Sequence, residues 1–204
     1  MHTAFRELAE TAITAVLIFI VLQTMTQTFR VEGRSMFPTL QNSQHLLVNR
    51  FVYTGASGGV LGDVMRVVTG TDEGRAYLFH GPQRGDVVVF HPPTGEREDF
   101  VKRIIGVPGD SVDIRGGLVY INGQVVEESY PATPSGGQEY PLTVEEGEFF
   151  VLGDNRSRSN DSRSWGTVPA ENIIGRVWFA YWPPSEFRLF SSVGAGLGLS
   201  WLPG

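Results

Sequence analysis

FVKRIIGVPGD, residues 100–110, surrounds two adjacent cations with strand-forming apolar side chains and then stops at Pro108-Gly109. On an extended chain residues 100, 102 and 104 share one face. Lys102 therefore lies between Phe100 and Ile104, while Arg103 points the other way, toward solvent or a carboxylate. Outward from this run the chain keeps the same grammar, with short β-branched and aromatic stretches divided by Gly, Pro and Asn/Asp clusters. Strand candidates cover 45–53, 64–68, 86–91, 100–107, 111–114, 149–152 and 173–182. LVYI and QVV within 118–126 flank Asn122-Gly123, a two-residue loop suited to a type I′ hairpin. The fold expected is mainly β, built of antiparallel sheets and spanning 30–192. Two surface insertions rich in Gly or Pro, at 54–81 and 129–148, interrupt it.

The amino-terminal end follows a different pattern. Residues 11–29 carry no charge, and AITAVLIFIVL at 12–22 has Thr14 as its only polar residue. At about 1.5 Å per residue the run reaches roughly 28 Å, close to the hydrocarbon thickness of a bilayer. A soluble core helix would alternate polar and apolar faces. A cleaved signal peptide would begin with basic residues and exit through a small-x-small site, whereas this segment begins with Arg6 against Glu7 and Glu10 and leaves through TMTQTFRVEG. The reading is a short cytoplasmic amino terminus at 1–10 and an uncleaved transmembrane anchor at 11–29, with the lipid bilayer as a partner. An apolar tail, 193–204, holds four glycines and is too short to span.

Composition narrows the chemistry. With 204 residues the chain holds one main domain. A net charge of -6 argues against a nucleic-acid partner. The chain has no cysteine, which excludes disulfides and thiol nucleophiles, and its histidines at 2, 45, 80 and 91 form no metal box. No cofactor or metal is expected. Of the 16 basic residues, Lys102 is the one lysine. Coding bias explains an arginine-rich chain but not the exception. An arginine keeps its proton in proteins, whereas a buried lysine can lose its own and act as a base. The strand pattern leaves two readings of Lys102, a desolvated amine or a side chain that snorkels to water.

Two further stretches carry chemistry. GRSMFPTL, 33–40, places Ser35 six residues beyond Phe29, within about 20 Å of the helix end even when fully extended. GDNRSRSNDSR, 153–163, reads first as a solvated loop. Its alternating Asp154, Arg156, Asp161 and Arg163 could also pair within the loop and hold a site rigid, and its serines could orient a lysine.

Together GRSMFPTL, RGDVVVF (84–90), FVKRIIGVPGD and GDNRSRSNDSR, in this order behind an anchor, resemble the bacterial type I signal peptidases. The resemblance covers roughly residues 10–180. It implies a signal-peptidase-like catalytic domain, with Ser35 as nucleophile and Lys102 as general base. It further implies that Ser159 hydrogen-bonds the lysine amine, that Met36 packs beside the nucleophile, and that Asp154, Asp161 and Arg163 support the site, the last two as a pair. The substrates implied are preproteins, cut after small residues at -3 and -1. The protein would be a monomer in the plasma membrane, crossing once, with its catalytic domain on the extracytoplasmic side. Two positions depart from the family pattern. Gly33 stands where some members carry a hydroxyl of the oxyanion hole, which leaves the Ser35 backbone N–H as the expected donor. Ser157 replaces an acidic residue.

Other classes fit less well. Residues 55–59 match G-x-S-x-G but sit in a Gly-rich insertion with no following helix. An S-x-x-K protein is excluded, because Asp99 stands three residues before Lys102. A self-cleaving repressor would have a DNA-binding domain in place of the anchor. A membrane-tethered domain that binds extended peptides without cutting them stays open.

Overall fold

Alternation of apolar side chains after residue 25 turns the chain into strands that pair almost entirely antiparallel. The computed structural model describes residues 2–50, 52–53, 55–56, 76–77, 81–128, 130 and 141–190. Helix α1 (His2–Met25) runs directly into β1 (Thr26–Arg30), followed by β2 (His45–Asn49) and a small ladder of β3 (Gly55–Ala56) and β4 (Ala76–Tyr77). Next come β5 (Val87–Phe90), β6 (Phe100–Gly106), β7 (Ser111–Arg115), β8 (Leu118–Ile121), β9 (Gln124–Val125) and β10 (Leu142–Thr143). The chain continues through β11 (Glu148–Leu152), the short helix α2 (Ser162–Trp165), β12 (Val168–Pro169), β13 (Ile173–Trp182) and β14 (Arg188–Leu189).

The larger sheet has the order β1-β2-β13-β5-β6-β11-β12, with β14 on β13, and the smaller has the order β10-β7-β8-β9. Central β5, VVVF, is buried at every residue, as a strand covered on both faces must be. One face of the larger sheet packs Met36, Leu40, Leu46, Val87 and Val177 together. The other packs Phe90, Ile104, Val151 and Val168. A third cluster, with Ile105, Val112, Ile114, Phe150 and Leu152, joins the two sheets. Asn122 and Gly123 have φ of 52° and 81°, the positive pair that a type I′ turn requires.

Two boundaries differ from the sequence reading. The helix ends at Met25, and 26–29, expected as the end of the anchor, belong to β1. Thr and Phe favour extended backbone, and β2 offers a full register from Thr26↔Asn49 to Arg30↔His45. The strand expected over 45–53 stops at Asn49, whose Oδ1 accepts the Val52 N–H and turns the chain. The expected strand at 64–68, the G-x-S-x-G serine, most of both insertions and the tail lie outside the described residues.

Along α1 the side chains described without a break cover 10–20, and these are exposed, Ile13 and Phe19 among them. Among the described residues no helix is long and apolar enough to cross a membrane.

Gly106 ends β6 where the sheets meet. A Cβ there would stand 2.6 Å from Val112 Cγ2 and 3.0 Å from Val144 Cγ2. Gly106→Ala should therefore lower unfolding stability by about 1–3 kcal/mol through overpacking. Urea denaturation checks it, and an unchanged midpoint would contradict the close approach of the sheets.

Candidate active site

Ser35 sits in the turn that leaves β1, and its backbone is held from three sides. Gly33 takes φ +87°, open to glycine at no steric cost, and its N–H donates to Asn42 Oδ1 at 2.9 Å. Met36 is buried at 1% exposure among Val31, Leu40 and Leu46, so the residue after Ser35 anchors the turn in the core. Asn155 reaches over from the loop 153–163, its N–H donating to Ser35 O at 2.9 Å and its side-chain amide to Arg34 O at 3.0 Å.

Lys102 comes from the middle of β6, in register with Val88. Its Nζ lies 3.0 Å from Ser35 Oγ and donates to Val101 O at 3.0 Å. The amine stands 5.0 Å from the centre of the Phe100 ring, on the face that the alternation assigned to it. Lys102 is 4% exposed, so the snorkelling alternative does not hold. Burial lowers its pKa from 10.5 to about 8, and the charges of Asp161 and Asp154 hold it from falling further.

Those carboxylates are already taken by other cations. Asp154, fully buried, pairs side-on with Arg103, with Nε–Oδ1 at 2.9 Å and Nη2–Oδ2 at 2.7 Å. Arg103 also donates to Gly85 O at 2.9 Å and lies 4.0 Å over the Tyr130 ring. Burial alone would lower its pKa, but the hydrogen-bonded charge of Asp154 outweighs that and raises it. Asp161 is likewise fully buried. It accepts from Arg163 Nε at 2.8 Å and Nη2 at 2.9 Å, from the Gly153 N–H at 3.0 Å, and caps α2. The expected Asp161–Arg163 pair is present.

The loop departs from its sequence reading in two respects. Asp154 and Arg156 do not pair within it. Asp154 goes to Arg103 of β6, and Arg156 pairs with Glu128, a partner that no local pattern revealed. The hydrogen bond expected between Ser159 and Lys102 is not formed. Ser159 Oγ is buried without a partner, and Lys102 Nζ is engaged by Ser35 Oγ and Val101 O. Ser159 packs on Gly153, where an added Cβ would meet Ser159 Oγ at 2.2 Å and Ser35 O at 2.6 Å. Ser162 accepts the Val151 N–H at 2.9 Å and acts structurally. Ser157 donates weakly to Asn155 Oδ1 at 3.3 Å, on the loop's outer side.

Ser35 and Lys102 close one end of a cleft of about 410 Å³. Its walls are Arg30, Val31 and Glu32 on one side and Asp99, Phe100 and Val101 on the other. Val31 turns both its peptide groups toward the 43–44 segment, so those of Arg30 and Glu32 face away from it. Opposite, β11 pairs with β6 only from Arg103 onward, so 100–102 keep an edge that β11 does not cover.

A serine hydroxyl against a buried amine, beside a cleft bordered by strand backbone, is an arrangement suited to hydrolytic chemistry. The chain belongs to the family described as signal peptidase, peptidase S26, whose profile matches residues 5–182. A probable signal peptidase I-2 of Synechocystis sp. is 34% identical over 191 residues, 91% of this chain and 77% of that protein. A signal peptidase I of Leptolyngbya laminosa is 38% identical over 80% of this chain and 75% of its own length. A signal peptidase IB of Staphylococcus aureus is 31% identical, covering 87% and 88% respectively.

The lowered pKa has a thermodynamic counterpart. Between about 8 and 10.5 the unfolded chain binds a proton that the folded one does not, so stability rises with pH across that window. Below it the full penalty of burying the ammonium applies, on the order of 3 kcal/mol. Lys102→Met should therefore melt above the wild type at pH 6–7, and the gap should shrink as pH approaches about 10. A gap that does not change with pH, measured by thermal denaturation, would contradict the account.

Proposed function

We propose that this signal peptidase is a membrane-bound serine endopeptidase that removes N-terminal signal peptides from exported preproteins, cutting after small residues at -3 and -1. The observation that carries the reading is the 3.0 Å approach of Lys102 Nζ to Ser35 Oγ in a buried setting. At a pKa of about 8 a substantial fraction of the amine is neutral near physiological pH.

In the proposed reaction the Nζ lone pair takes the Ser35 proton as Oγ attacks the scissile carbonyl. The ammonium then protonates the leaving amine, and the acyl enzyme is hydrolysed by a water that the regenerated amine activates. A neutral amine has one lone pair and two N–H groups. With the lone pair on the Ser35 hydroxyl and one N–H on Val101 O, the second needs an acceptor. Ser159 Oγ, buried and without a partner, is suited to that task once the amine turns toward it. Asp154, Asp161 and Arg163 act as supports, and Met36 as the anchor of the nucleophile turn.

The oxyanion hole rests on the Ser35 N–H. Gly33 supplies no hydroxyl, and its own N–H is engaged by Asn42. The substrate lies extended between 30–32 and 98–101, adding main-chain hydrogen bonds to edges that the sheet leaves free.

Membrane attachment belongs to the same proposal. The uncharged part of α1 up to Met25 and the exposed apolar side chains of 10–20 support a single crossing, and the proposal sets the amino terminus in the cytoplasm and the β domain outside, as a monomer. Trp182, Phe187 and Leu189 expose apolar surface near the far end of β13, as a domain resting on lipid would.

Purified protein and a preprotein with a small-x-small site test the function. Wild type should cleave, and Ser35→Ala and Lys102→Arg should be slower by at least about 10³-fold. The neutral amine is the active form, so kcat/KM should fall as pH drops below about 8 and level off above it. Cleavage by Lys102→Arg at the wild-type rate would overturn the mechanism.

A further inference from the structure

Glu128 is a nearly buried carboxylate that the proposed reaction does not use. It follows the β8–β9 hairpin of the smaller sheet, yet it reaches into the catalytic loop and pairs with Arg156. The two side chains are 8% and 1% exposed. Glu128 also accepts the Tyr130 hydroxyl at 3.0 Å, and the Tyr130 ring in turn carries the Arg103 guanidinium.

Arg156 passes this constraint on. Its Nε donates to Gly153 O at 3.0 Å, while the Gly153 N–H is held by Asp161. Gly153 is thus fixed at both peptide groups. Its α-carbon is the surface on which both serines rest, since a methyl there would meet Ser159 Oγ at 2.2 Å and Ser35 O at 2.6 Å. Any shift of Gly153 moves the base's candidate acceptor and the nucleophile's backbone together. The next residue, Asp154, binds the neighbour of the catalytic lysine.

We propose that Glu128 is a positioning residue: by locking Arg156 onto the Gly153 carbonyl, it keeps Ser159 and Ser35 in register with Lys102 and couples the smaller sheet to the catalytic loop. This rests on the Ser35/Lys102 reading above. Glu128 touches neither substrate nor reacting atoms. Its effect belongs in the chemical step and not in substrate binding, because a misplacement of about 1 Å can cost about 10²-fold in rate.

The test is single-turnover cleavage of a peptide with small residues at -3 and -1, using the full chain in detergent, in excess, at pH 9. The rate constant reports each competent molecule, and the amplitude reports how many are competent. Glu128→Ala should lower the rate constant about 10²-fold with KM within about twofold of wild type. Glu128→Gln keeps the reach and an acceptor oxygen, and should stay within about threefold of wild type. Glu128→Asp keeps the charge but falls one methylene short, and should lose at least about tenfold. A residue that only stabilises the fold would reduce amplitude and melting temperature and leave the rate constant alone. That result for Glu128→Ala overturns the proposal, and so does Glu128→Asp matching or exceeding Glu128→Gln. The Asp/Gln order decides the matter if the alanine variant does not fold. A wild type that cuts no such peptide would instead overturn the functional reading.

Discussion

Burying a single amine beside a hydroxyl is the constraint to which the rest of this structure answers. An ammonium in an apolar strand is unstable, and the simplest relief would be a carboxylate partner. Two carboxylates are near enough to be felt by Lys102, and both are fully buried. Each is claimed by an arginine, Asp154 by Arg103 and Asp161 by Arg163, so neither forms an ion pair with the lysine. Desolvation then outweighs the residual attraction, and the amine can lose its proton near neutral pH. Arginine suits the pairing role because its planar fork binds a carboxylate with two parallel hydrogen bonds and keeps its charge. Around the site Arg103, Arg156 and Arg163 each hold a buried carboxylate, and the one lysine of the chain is left to face a hydroxyl.

The architecture supplies what that division needs. Strand β6 carries Lys102 and Arg103 on opposite faces, one toward Ser35 and the other toward Asp154 and Tyr130. Because β11 pairs only with the far half of β6, the near half keeps a free edge beside the cleft. The loop 153–163 leaves β11 at Gly153, where the absence of a side chain lets two serines approach the backbone. A larger residue there would collide with both.

Much of this was legible in the sequence, and for local reasons. Period-two alternation through FVKRII assigned the two cations to opposite faces, and Asn122-Gly123 specified its turn. The resemblance joined Ser35 to Lys102 across 67 positions, a contact that neither segment encodes alone. What escaped was either tertiary or dependent on protonation. Asp154 finds Arg103 51 positions away, and Arg156 finds Glu128 28 positions away, through the geometry of two packed sheets. The helix passes into β1 at 25–26 because β2 offers a register there, a choice that an uncharged run does not announce. Ser159 has no hydrogen bond to the amine in this arrangement, in which Nζ contacts Ser35 Oγ and Val101 O.

The solitary lysine also makes the central claim directly measurable. Lysine labelled with ¹³C at Cε and ¹⁵N at Nζ gives one side-chain signal in the folded protein, which can be followed as pH is raised. A titration midpoint near 8 is the expected result. A midpoint near the ordinary 10.5 would show that the amine stays charged at working pH, and would contradict the account of Lys102 as a base.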